Sequence, residues 1–138
     1  YQRSRGLGDV YKRQVLKSII VLIVSGTILN VWLFRLNQQT PYRGGDASTL
    51  MEEFLAYGLS ENIFYVIGFV KILAAVLLLV GLLYKKTIIP SATLIALIMI
   101  VAIYMHFKVE DSFVKHFPAL VMFILSSSLV FIQKRQNL

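Results

Sequence analysis

The chain has 138 residues, of which 57% are hydrophobic and 15% charged, with a formal net charge of +7. A chain of this length buries about two thirds of its surface when it folds in water, so an apolar share this large demands lipid as solvent and excludes disorder, collagen and soluble nucleic-acid binding. With no cysteine, a disulfide framework, a cysteine-ligated zinc or iron–sulfur site and a dithiol relay within the chain are excluded as well.

Residues 1–14 read YQRSRGLGDVYKRQ, polar and basic up to the point where an apolar run begins. The stretch Asp9 to Gln14 resembles a translated transposase sequencing adapter, so residues 1–14 are expected to be non-native, a natural basic cytoplasmic tail being the alternative. Setting aside Arg3, Arg5, Lys12 and Arg13 together with Asp9 leaves +4 of the formal +7. That remainder gives no support to a nucleic-acid partner.

A helix needs about 20 mostly apolar residues to cross a bilayer. Four such runs follow in one domain, 15–138, at about 15–36, 63–84, 88–107 and 117–132. The fold class predicted is all-α, a polytopic membrane protein built as a four-transmembrane-helix bundle with a short amphipathic interfacial helix in the first outer loop. In that loop Gly44-Gly45 supplies a turn. Thr49 and Glu52 have capping-box spacing. Leu50, Met51, Phe54 and Leu55 fall on one face, with Glu52 and Glu53 on another, and Gly58 stands where the helix would stop. The segment reads as a surface helix or as a lid over a site. In the fourth span, the hydroxyls of Ser126, Ser127 and Ser128 are expected to bond back to carbonyls one turn earlier or to let a neighbouring helix approach.

Lys17, Lys85, Lys86, Lys134 and Arg135 collect at one set of span ends with no acid among them. Arg35, Arg43, Lys108 and Lys115 share the other set with Asp46, Glu52, Glu53, Glu61, Glu110 and Asp111. The first set is expected on the cytoplasmic side, which places both termini inside and loops 37–62 and 108–116 outside.

Lys71 is the charge that lies well within a span, about 12 Å from its start at 1.5 Å per residue. A lysine there costs about 2.5–3.5 kcal/mol on insertion scales. Helical side chains lean toward their own N-terminus, here the outer end, so Lys71 can snorkel outward. Asn30, His106 and Tyr104 occupy the same outer half. The candidate polar intramembrane site is therefore Lys71, His106, Asn30 and Tyr104, with Arg43, Glu52, Glu53, Lys108 and Asp111 as candidate outer-loop partners. Two roles stay open for Lys71: a structural lysine paired with a loop carboxylate, or a contact to a headgroup, a quinone carbonyl or an anionic substrate. Catalytic residues are not identifiable, and no spacing suits a metal site. No cofactor motif is evident, and quinone is the candidate ligand.

The run Tyr42-Arg43-Gly44-Gly45-Asp46-Ala47, then Met51-Glu52-Glu53-Phe54 and Tyr57-Gly58-Leu59, resembles the outer loop of bacterial DoxX-like membrane proteins. Gly68 to Ala75 resembles that family's second helix. Ala102 to Val109 with Asp111, and Pro118-Ala119-Leu120, resemble its third-helix end and fourth-helix start. The similarity covers residues 19 to 132 and implies a four-helix bundle of the bacterial inner membrane. Many relatives carry a glutamate where this chain has Lys71, which weakens transfer of chemistry from them. What the resemblance implies is an accessory or assembly subunit of a membrane complex, or alternatively a quinone-linked oxidoreductase subunit. A small-solute or lipid carrier stands behind both. The expected partners are the bilayer and a larger membrane complex or a second copy of the chain.

Overall fold

A computed structural model describes residues 2–138, with side chains from Gly6 onward. Helix α1 runs Gln2–Phe34, α2 Leu50–Ala56, α3 Glu61–Val80, α4 Ile88–Lys108 and α5 Phe113–Gln136, and a single 3-10 turn, Lys85–Thr87, precedes α4. Four stretches are long and apolar enough to cross a membrane: Gly6–Phe34, Glu61–Val80, Lys85–Lys108 and Phe113–Gln136. α5, the fourth span, is longer at both ends than its apolar run, because Ser112 starts it in extended backbone and because its polar tail has a partner. That partner is Lys17, whose Nζ donates to Gln133 Oε1 at 3.0 Å and Gln136 Oε1 at 2.8 Å.

The long helices form a ring. α4 packs most broadly on α5, α3 lies between α1 and α4, and α1 closes against α5 through the smallest of these interfaces. Short links at 81–87 and 109–112 force antiparallel neighbours. Buried positions recur at helical spacing: Val21, Val24 and Ile28 on α1, Ala74, Ala75 and Leu78 on α3, Ala92, Ile95 and Met99 on α4, Met122 and Leu129 on α5. Large apolar side chains such as Tyr65, Phe69, Leu97, Val101, Ile124 and Phe131 face outward. A helix surface of that kind is at home in hydrocarbon, where small residues at the contacts, not exclusion from water, allow close approach. Ser126 and Ser128 donate to Met122 O at 2.7 Å and Ile124 O at 2.8 Å, the backward bonds expected of them.

α2 covers one end of the ring. Thr49 Oγ1 accepts from Glu52 N at 3.1 Å, while Glu52 Oε2 accepts from Ser48 N at 2.8 Å, one residue before the position a standard capping box would use. Gly58, at φ +83°, ends the helix. Its amide bonds Leu55 O at 3.0 Å and the Leu59 amide bonds Phe54 O at 3.1 Å, a Schellman closure that needs the left-handed conformation glycine adopts freely. Phe54 meets Trp32 edge-on at 5.9 Å and Phe64 at 5.3 Å, and Trp32 lies 5.1 Å from Phe64. These rings seat α2 on the ends of α1 and α3. The wheel differs from the expected one in Glu53, which sits on the buried face with Leu50, Phe54 and Tyr57, while Leu55 is 54% exposed. The reason is that α2 packs on protein, and the bundle end supplies polar partners that Glu53 would lack in lipid.

Candidate functional site

Beneath α2 lies a cavity of about 390 Å3 bounded by all five helices and the loop at Thr40–Arg43. Its apolar wall includes Ile28, Val31, Met99, Ala119 and Met122. Its polar groups include Arg35, Arg43, Glu53, Lys71, His106 and Lys115. Thr27, Pro41 and Tyr42 also line it and are exposed, which locates its mouth at α1 and the loop.

Lys71 reaches the cavity from α3. Its Nζ lies 5.3 Å from the centre of the Trp32 ring, a cation–π contact, and among the described residues no oxygen accepts a hydrogen bond from it. Gly68, one turn earlier on α3, makes this possible: a Cβ there would stand 2.6 Å from Trp32 Cζ3, so only glycine lets the indole lie against the helix.

The opposite wall is a hydrogen-bonded cluster. Tyr57 Oη donates to Glu53 Oε1 at 2.6 Å. The His106 ring nitrogens lie 3.3 and 3.4 Å from the same hydroxyl, and His106 Nδ1 is 2.6 Å from Asp111 Oδ2. Donation from Nδ1 to that carboxylate sets the tautomer and leaves Nε2 toward Tyr57 and Glu53. Asp111 Oδ1 accepts from Gly45 N at 2.9 Å, and Lys115 bonds Gly45 O. Arg43 closes the ring from the loop. Its NH1 is 3.6 Å from Glu53 Oε2, and its NH2 donates to Arg35 O at 2.7 Å and Gln38 O at 3.2 Å, where α1 has run out of amide donors. Burial, and then the adjacent Glu53 carboxylate, push the Tyr57 phenol above its ordinary range, so it remains a donor.

Of the residues singled out from sequence, Lys71, His106, Arg43 and Glu53 border the cavity, and Asp111 stands behind His106. Glu52 caps α2, and Lys108 Nζ donates to Tyr57 O at 3.3 Å. Asn30 and Tyr104 are exposed and lie outside the cavity. On α4, Met99, Ala102 and His106 share a face, and Tyr104, two residues from His106, points about 200° away. Trp32, Tyr57, Arg35 and Lys115 were not anticipated. A signal for Tyr57 was present, since it follows Glu53 by four residues on a helix that ends at Gly58.

The DoxX-like family matches residues 44–128. This chain belongs to the DoxX-like family. No curated protein and no solved structure matches it. The stretch that carries DoxX-like membership runs from Gly44 into α5 and includes Glu53, Tyr57, Lys71, His106, Asp111 and Lys115. The α1 side of the cavity, with Trp32 and Arg35, comes from residues before it. Among the described residues, no three His, Asp or Glu side chains are grouped to hold a metal ion.

Proposed function

We propose that this DoxX-like protein is a ligand-binding component of a membrane complex, taking the polar head of an amphiphile from the bilayer into the cavity beneath α2. The observation that carries this reading is the Lys71 ammonium, which faces the cavity over an indole and, among the described residues, has no oxygen within hydrogen-bond distance. An unshared charge at that depth costs about 2.5–3.5 kcal/mol on insertion scales, and an oxygen on a bound head would offset it. The cavity volume of about 390 Å3 falls within the range typical of small-molecule sites. In the quinone-linked variant of this reading, a ring carbonyl is that oxygen and Trp32 is the flat surface against the ring.

On this reading the protein sits in the bacterial inner membrane with both termini cytoplasmic and α2 outside. Support comes from Lys17, Lys85, Lys86, Lys134 and Arg135, which lie at the end of the ring away from α2 with no acid among them.

The test is purification in mild detergent followed by mass spectrometry of the lipids, quinones and proteins that accompany the chain. Wild type is expected to retain an amphiphile at near-stoichiometric amount, lost on Lys71→Met. An empty cavity, with a protein partner held equally by wild type and Lys71→Met, would instead make this an assembly subunit with a structural lysine.

A further inference from the structure

Resting on the ligand-binding reading, we infer that the head is an oxyanion, a carboxylate or phosphate ester on a hydrocarbon chain, which slides between α1 and α5 and pairs with Lys71 and Arg35. The charge balance of the cavity carries this class. Its wall holds four cations, Arg35, Arg43, Lys71 and Lys115, against the single carboxylate of Glu53. That carboxylate is already engaged on both oxygens, by the Tyr57 hydroxyl at 2.6 Å and by Arg43 at 3.6 Å. Arg43 also bonds two carbonyl oxygens of the α1 end, and Lys115 is taken up by Gly45 O and Asp111. Among the described residues, Lys71 has no hydrogen-bonded oxygen, and Arg35 donates only from Nε, to Gln38 Oε1 at 3.0 Å. α3 and the residue just past the end of α1 thus present unfilled cationic donors to one space. A low-dielectric cleft lined by one sign of charge concentrates its field on a ligand of the opposite sign, and charge-assisted bonds are the stronger ones. A neutral carbonyl would leave the excess charge unanswered.

The walls also call for a chain behind the head. Ile28, Val31, Ala119 and Met122 form an apolar strip below the cations, and the exposed Thr27 brings the mouth about 10 Å down α1 from Phe34, to hydrocarbon depth. The α1–α5 contact is the smallest interface of the ring, so packing resists entry least there. Free inorganic anions would satisfy the charges and leave the strip empty.

Trp32 is the only tryptophan of the chain, lines the cavity, and is a built-in reporter. The full chain in a neutral detergent is titrated with brominated probes whose bromine quenches indole emission. The probes are a bromoundecanoate, its methyl ester, a brominated phosphatidylglycerol, a brominated phosphatidylcholine and an uncharged bromoquinone. Saturable quenching is expected from the carboxylate or the phosphatidylglycerol. Which of these two acts tells a free fatty acid from a membrane phospholipid, and either supports the inference. The ester, phosphatidylcholine and quinone should bind at least tenfold more weakly. Lys71→Met should lose at least tenfold for the anionic probe and Lys71→Arg should restore most of it, with circular dichroism showing both variants helical. Equal quenching by neutral and anionic probes, or an unchanged Lys71→Met curve, overturns the oxyanion while leaving ligand binding intact. No saturable quenching by any probe overturns the ligand-binding reading itself.

Discussion

His106 Nδ1 lies 2.6 Å from Asp111 Oδ2 because the chain between them folds back through Glu110 in the left-handed conformation, at φ 57°. Glu110 N bonds Phe107 O at 3.1 Å and Asp111 N bonds His106 O at 3.0 Å, so α4 ends in the same Schellman closure as α2, with glutamate where glycine is usual. The turn returns Asp111 to the helix it has just left, and Asp111 in turn holds Gly45 of the first loop.

A left-handed glutamate costs about 1 kcal/mol relative to glycine. Glu110 is exposed and makes no side-chain bond among the described residues, so Glu110→Gly is expected to raise the melting temperature in detergent. Asp111→Asn, which removes the charge from two bonds, is expected to lower stability by about 1.5–3 kcal/mol. A melting temperature that falls for Glu110→Gly would show that the glutamate side chain has a role of its own.

Gly44 and Gly26 form a matched pair. A Cβ on Gly44 would run into the Tyr57 hydroxyl and ring, whereas one on Gly26 meets nothing within 4 Å. Gly44→Ala should cost about 1–3 kcal/mol by displacing Tyr57 from Glu53. Gly26→Ala should gain up to about 1 kcal/mol from helix propensity. Thermal unfolding of the two variants side by side checks the contrast, and similar losses for both would deny that Tyr57 packs on the Gly44 backbone.

Tyr57 should set an alkaline limit on stability. Its phenol is held protonated in the fold by burial and by Glu53. The unfolded phenol titrates at about 10. A group whose pKa is raised on folding contributes stability that is present below its unfolded pKa and is lost as pH rises beyond it. The difference in melting temperature between wild type and Tyr57→Phe should therefore be constant from pH 7 to 9 and shrink above about pH 10. A difference that grows with alkalinity would mean that the phenol ionises more readily in the fold.

Lys17 is 3% exposed and is held by Gln133 and Gln136 at the end of the ring away from α2. Lys17→Met leaves the buried amide oxygen of Gln133 and the partly buried one of Gln136 without a donor, at about 1–3 kcal/mol. It should weaken the bundle without altering Trp32 quenching, as should substitutions at Asn30 or Tyr104, which lie outside the cavity. Loss of quenching at any of these three positions, in a folded protein, would place the ligand elsewhere.

Orientation is open to a direct measurement because the chain has no cysteine of its own. A cysteine at the exposed Gln39 should react with a membrane-impermeant maleimide on intact cells, and one at the exposed Asn137 only after lysis. The reverse pattern would invert the proposed topology.

Chain order and composition by themselves determined the solvent, the four spans, the capped helix in the first loop and the depth of Lys71. Each of these depends on residues close together in sequence: runs of apolar side chains that hydrocarbon requires, Thr49 with Glu52, Gly58 at a helix stop, a lysine counted from its span end. The membership of the cavity was decided only by tertiary structure. Whether Asn30 or Trp32 faces inward depends on how α1 is turned against its neighbours, since lipid accepts either side of an apolar helix. Glu53 is buried because Arg43 and Tyr57 reach it, and Arg43 does so because the loop bends back over the spent carbonyls of α1. The contact of Lys71 with Trp32 rests on a missing side chain at Gly68. Such relations join residues distant in the chain through helix phase and close approach, and the local patterns that mark a span are silent about both.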